Sequence, residues 1–180
     1  MIPTAHLPLT ERTDTIDRLR RSLDDVLYAV SITPETWRHR APATVEGLDW
    51  LGGWSVAENL AHLAVYEESI AAPVLEAILA GRDGTDDVIS VLEGDYEARW
   101  RNLAASPIEH ISQRLADARD HQIAAVSSMS DDLFHELTTA LWATDLTRNG
   151  HSAAWVATKT FQHTWEHGNS ILRIALFAQD

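Results

Sequence analysis

The chain has 180 residues, 45% of them hydrophobic, with 14 Lys and Arg against 27 Asp and Glu, a formal balance of −13. That size and apolar share suit a single domain spanning 1–180, and so acidic a surface argues against nucleic-acid and membrane partners. There is no cysteine, which excludes disulfides, Cys-based zinc sites and a thiol nucleophile of the protein's own.

The opening "MIPTAHLPLTERTDT" has neither a basic n-region nor an apolar run, and no stretch reaches about 18 apolar residues, so a cytoplasmic location is expected. Ile16, Leu19, Leu23, Val26, Leu27 and Val30 then recur at helical spacing, with Thr10 as a candidate cap. The stretch 31–54 carries Trp37, Trp50 and Trp54 and is expected to pack as a lid. A second helix opens at Ser55, where S-V-A-E forms a capping box with Glu58, and runs to Leu79 or Ala80 before Gly81. Residues 81–105 are long enough to return along a bundle, and "GDYEARW" within them predicts a short helix. Ser106-Pro107 reads as a cap followed by proline at the first helical position, ahead of a stripe of Ile108, Ile111, Leu115, Ala118, Val126 and Met129. The fourth helix runs from near Ser152 to about Phe177. No β-alternation appears, so the fold class is all-α.

The fourth helix carries "FQHTWEHGNS". Read literally, this holds H-x-x-E-H, the inverted motif of certain zinc peptidases. It also holds the plainer H-x-x-x-H, His163 and His167 one helical turn apart. The peptidase reading needs a further ligand downstream and substrate-aligning strands, and the sequence offers neither; the third ligand is expected upstream. Imidazoles at i and i+4 rise from one face about 5–6 Å apart and can grip one divalent ion. On a helical wheel they share their face with Val156, Thr160, Ile171 and Ile174, so they point inward, where unpartnered ring nitrogens are costly. In "GWSVAENLAHL", His62 lies on the shoulder of the second helix's apolar stripe and is the best upstream candidate. His6, His39, His110 and His135 read as ordinary terminus, loop or helix-end residues, while His121, bordering the third helix's stripe, and His151, just before the fourth helix, are weaker candidates for a ligand or site neighbour.

"GWSVAENLAHL" followed about a hundred residues later by "HTWEHGNSILRIAL" resembles the paired signatures of the DinB-like superfamily, which includes relatives of thiol-dependent S-transferases and of the maleylpyruvate isomerase N-terminal family. The resemblance covers nearly the whole chain. It implies an up-down-down-up four-helix bundle with long connecting loops, and a metal triad of His62, His163 and His167. Asn169-Ser170 departs from the Gly-Gln or Arg-Gln that many members carry there. It also implies transferase or isomerase chemistry with a low-molecular-weight thiol cosubstrate, a small-molecule substrate and a homodimer.

Three neutral imidazoles leave coordination positions open, as in a catalytic centre, and suit zinc or nickel as well as iron or manganese. Metal-dependent hydrolysis and non-enzymatic metal or small-ligand binding are the alternatives. Glu67 and Glu166 are the weaker candidates for a catalytic role, Glu67 also as a buried partner for an arginine. Phe161, Trp165, Leu172 and Leu176 form a stripe opposite the histidines, with Gly168 permitting close approach; either a second subunit or the tryptophan-bearing loops 31–54 and 130–150 would cover it.

Overall fold

Hydrophobic spacing becomes helix throughout: among the described residues there is no strand, and the fold is all-α. A computed structural model describes residues 11–82, 90–91, 94–137 and 152–178. The helices are α1 (Arg12–Ile32), α2 (Glu35–Arg38), α3 (Val56–Tyr66), α4 (Ala72–Leu79), α5 (Tyr96–Ala104), α6 (Ile108–Ser128), α7 (Asp131–His135) and α8 (Ala153–Phe177). Thr10, His6, Trp142 and His151 lie outside the described residues. α1 begins after Glu11, whose carbonyl accepts the Thr15 N–H at 2.9 Å.

The capping box forms as the sequence predicts. Ser55 Oγ accepts the Glu58 N–H, and a Glu58 carboxylate oxygen accepts the Ser55 N–H at 2.7 Å. The second predicted helix is not regular, however. Between α3 and α4 a π turn occupies Glu67–Ala71, with the Ala72 N–H reaching back to the Glu67 carbonyl. Pro73 is the physical reason: it has no N–H to give the Ser69 carbonyl, so the turn before it opens. Gly81, at φ +70°, ends the run in the left-handed region that glycine enters without strain.

The start of α6 also differs by one position. Pro107 is the cap residue, with extended ψ of 141°, and Ser106 gives no side-chain cap. The predicted stripe from Ile108 to Met129 is nevertheless buried.

Two apolar clusters make up the core. One joins Val26 and Val30 of α1, Leu60 and Leu63 of α3, Ile111 and Leu115 of α6, and Ile171 and Ile174 of α8, with Trp37 and Trp100. The other joins Ile16 and Leu19, Ile70 and Leu75, Val126, and Val156 and Phe161, with Phe134 of α7. Each long helix crosses from one cluster to the other, and at the crossing it carries a buried polar residue: Ser22, Glu67, Arg119 with Gln122, and Thr160 with Thr164. A polar layer therefore divides the core.

Arg119 is the centre of that layer, and all five of its N–H groups are used. Nε donates to Glu67 Oε2 at 2.8 Å, Nη1 to Ser22 Oγ at 2.9 Å and to the Leu19 carbonyl, and Nη2 to Thr164 Oγ1 at 2.7 Å and to Glu67 Oε1. Gln122 Nε2 adds a bond to Glu67 Oε2 at 2.6 Å, and Thr160 Oγ1 faces Gln122 Oε1 at 3.0 Å. Burial without partners would make these groups strongly unfavourable; full satisfaction makes the layer a register lock among four helices.

Part of the stripe opposite the histidines is covered by the chain itself, through α1 and not through the tryptophan-bearing loops. α1 packs along α8, so Phe161 is buried, with Arg18 over its ring at 5.6 Å, and a side-chain atom added at Gly168 would lie 3.7 Å from Val26. The close approach that Gly168 permits is thus to the chain's own first helix. Trp165, Leu176 and Phe177 remain exposed. In the 31–54 segment, Trp37 enters the core, Trp54 is partly buried, and Trp50 is exposed, edge-on to Phe177.

Candidate metal centre

The capping box fixes where α3 begins, and with it the positions of Asn59 and His62, one and two turns further along. Asn59 donates Nδ2 to the Ser55 carbonyl at 2.8 Å. That bond orients the amide, so Oδ1 is the atom facing α8. His167 Nδ1 lies 2.8 Å from it. Since an amide oxygen only accepts, His167 carries its proton on Nδ1, and the lone pair of Nε2 is directed inward.

What lies inward is the other two imidazoles. His163 Nε2 is 3.1 Å from His167 Nε2 and 3.2 Å from His62 Nε2. The three rings offer nitrogens within 4.8 Å of one another, the single His, Asp and Glu group of this kind among the described residues. His62 and His163, 101 residues apart in sequence, meet because α3 packs against α8.

Hydrogen bonding alone accounts poorly for this arrangement. One proton on His163 Nε2 could serve His167, but then His62 Nε2 faces an N–H already in use. With no proton there, the His163 and His167 lone pairs oppose each other. Moreover, His62 Nδ1 and His163 Nδ1 are buried with no hydrogen-bond partner, so neither proton placement satisfies both rings. A cation accepting all three Nε2 lone pairs removes the conflict at Nε2, with the ring protons on Nδ1. Nitrogens at about 2.0–2.1 Å from a tetrahedral zinc sit roughly 3.3–3.4 Å apart, close to the observed 3.1 and 3.2 Å. The residues present fit a divalent ion.

Electrostatics point the same way. Burial lowers His62 from its usual 6.5 to about 4. Burial and then the neighbouring His167 and His62 lower His163 to about 3; burial and His62 lower His167 to about 4. All three are therefore neutral at pH 7, the form that binds metal.

Around them stand aromatic rings. Trp54 stacks on His167 with centroids 5.6 Å apart and planes 16° apart, Trp100 lies edge-on to His62 at 5.7 Å, and Tyr66 packs against His163 at 4.5 Å. The profile of the DinB superfamily matches residues 15–171, a span that holds all three histidines.

The chain belongs to the DinB superfamily.

No curated protein and no solved structure matches this DinB superfamily chain. Beside its histidines a pocket of about 440 Å³ opens between Leu51–Trp54 and residues Glu166 and Ser170 of α8, with Asn59 and His167 in its wall. Glu166 is exposed and reaches this pocket, at the edge of the site. Glu67 does not reach the histidines' pocket: it is fully buried, and both its oxygens are held by Arg119. Of its two expected roles, the structure places it as the arginine's partner. Asn59 is the candidate site residue that histidine spacing alone passes over; its position three residues before His62 and four after Ser55 is the signal, since both spacings share a helix face. No helix among the described residues is long and apolar enough to cross a membrane.

The lowered histidine values give a stability prediction for protein stripped with a chelator. The unfolded chain takes up protons near pH 6.5, while the folded site resists until about 3–4. Below pH 6.5 the unfolded state therefore binds more protons, and stability falls as pH falls. Each imidazole contributes a slope of roughly 1 kcal/mol per pH unit. Urea midpoints measured from pH 7.5 to 5 should decline, and the triple replacement of His62, His163 and His167 by glutamine should flatten the decline; a wild-type midpoint constant over that range contradicts the buried neutral cluster.

Proposed function

We propose that this DinB superfamily chain is a divalent-metal-dependent enzyme in which His62, His163 and His167 hold the ion and a low-molecular-weight thiol serves as cosubstrate in transferase or isomerase chemistry. The observation that carries the reading is the convergence of three Nε2 lone pairs, one of them oriented by the Ser55–Asn59–His167 chain of hydrogen bonds. Zinc or nickel suits three imidazoles best, and iron or manganese is also compatible. When bound, the ion would supply Lewis acidity to a sulfur or oxygen donor of a small molecule.

The chain's own residues do the rest. The histidines fix position, and Asn59 holds one ring in the tautomer that presents Nε2. Trp54, Trp100 and Tyr66 keep water from the buried side of the rings. The pocket beside His167 receives the small molecule. With no cysteine in the sequence, sulfur chemistry has to come from a cosubstrate. The family reading also carries the up-down-down-up order. Support comes from the core clusters, since α1 and α8 cross them in one sense and α3–α4 and α6 in the other.

Cobalt(II) loading tests the thiol reading. Titrating the loaded protein with 2-mercaptoethanol should produce the sulfur-to-cobalt charge-transfer band in the near ultraviolet. A cobalt spectrum indifferent to thiols contradicts the reading and favours metal-dependent hydrolysis or simple metal binding.

A further inference from the structure

The pocket beside His167 has a charge character of its own. Of the described residues in its wall, Glu166 is the one charged side chain; the others are Leu51, Gly52, Gly53, Trp54, Asn59, Ser170 and the neutral His167. Among the described residues the Glu166 carboxylate has no hydrogen bond or ion pair, while its backbone carbonyl also accepts from Ser170 Oγ at 3.2 Å. The two cations of α8, Lys159 and Arg173, each lie seven residues from Glu166; Lys159 sits over the Trp155 ring at 5.7 Å, and Arg173 is committed elsewhere too. It donates to the Trp50 carbonyl at 2.7 Å and lies 5.7 Å from the Trp50 ring, tying the 49–51 turn to α8. Among the described residues the wall thus presents one uncompensated negative charge and no positive one, within a chain whose formal balance is −13.

We infer that Glu166 sets the charge class of the small molecule this pocket accepts: a thiol or acceptor bearing an ammonium group or neutral hydroxyls, in preference to one bearing a carboxylate or phosphate. The inference deepens the proposed function and rests on it. A carboxylate facing a ligand a few ångströms away attracts an ammonium and repels an anion, and the overall negative field adds to both effects. Glu166 is exposed, so solvent and salt reduce the effect to a modest factor. An ion held by the His cluster would act on the same ligands with opposite sign. Comparing the two proteins cancels that contribution, because only the wall charge changes.

The test uses cobalt(II)-loaded wild-type protein and its Glu166→Gln variant at low ionic strength, titrated with three thiols of similar length: 2-aminoethanethiol, 2-mercaptoethanol and 3-mercaptopropionate. Dissociation constants are read from the cobalt absorption. The ratio of the 3-mercaptopropionate constant to the 2-aminoethanethiol constant should fall about three- to tenfold in Glu166→Gln. The 2-mercaptoethanol constant should stay nearly unchanged, and added salt should shrink the difference. Thiols that bind with a ratio indifferent to Glu166→Gln overturn the inference while leaving the thiol reading intact. A spectrum that none of the three thiols changes overturns the thiol reading, and the inference falls with it.

Discussion

Replacing His163 with alanine lowers the affinity for zinc(II) by more than about 100-fold, because His163 is the ring whose Nε2 lies within 3.2 Å of both others. Its removal leaves two nitrogens from different helices, and neither spacing nor orientation then closes a site. A smaller effect is expected one step out. Asn59→Ala leaves all three ligands but frees the His167 ring to rotate and to change tautomer, and loss of such an outer contact typically costs about 10- to 100-fold. Competition titration against a zinc-chelating dye measures both, and circular dichroism confirms that the variants remain helical. The order His163→Ala, then Asn59→Ala, then wild type, from weakest to tightest, is the expected result. Wild-type affinity in His163→Ala would mean that the ion, if bound, sits elsewhere.

The second large effect is on stability. Arg119→Met leaves Glu67 buried at 0% exposure, with Gln122 and the distant Thr164 hydroxyl as its remaining partners. An uncompensated buried carboxylate of this kind costs about 3–5 kcal/mol. The double variant Arg119→Met, Glu67→Leu should recover most of that loss, since a well-packed apolar pair replaces a charged one at little net cost. Urea denaturation of the two variants and the wild type reads the sequence of effects. A single-variant loss below about 1 kcal/mol would show that the polar layer is not tightly closed.

The contrast between these two sites explains what is legible in the sequence and what is not. The histidines are legible because i, i+4 spacing is a mechanical statement: on any helix, His163 and His167 share a face. The capping box at Ser55 is legible for the same local reason, and it sets the phase of α3 on which Asn59 and His62 ride. Family resemblance joins His62 to the pair, a link that local spacing cannot make across a hundred residues. Arg119 and Gln122, by contrast, look like the solvated shoulder of α6; their burial depends on Glu67, Thr160 and Thr164 arriving from two other helices. Glu67 itself falls on the apolar stripe of the second helix, so its burial against an arginine is foreseeable, but which arginine is not. Pro73 carries the signal for the π turn, which apolar periodicity alone does not register. The cover of α8 escapes local reading for a related reason. Tryptophan-rich loops offer aromatic surface enough for a lid, whereas Gly168 opposite Val26 lets α1 lie close along the helix.

The central claim is that three imidazoles form one metal site, and metal analysis joined to X-ray absorption tests it most directly. The protein should be produced without a polyhistidine tag, purified without a nickel column and measured beside the triple His62, His163 and His167 glutamine variant. The account predicts a stoichiometric divalent ion whose first shell contains imidazole nitrogen at about 2.0–2.2 Å, absent from the triple variant. A wild-type protein that neither carries nor takes up such an ion, or a triple variant that retains it, contradicts the account.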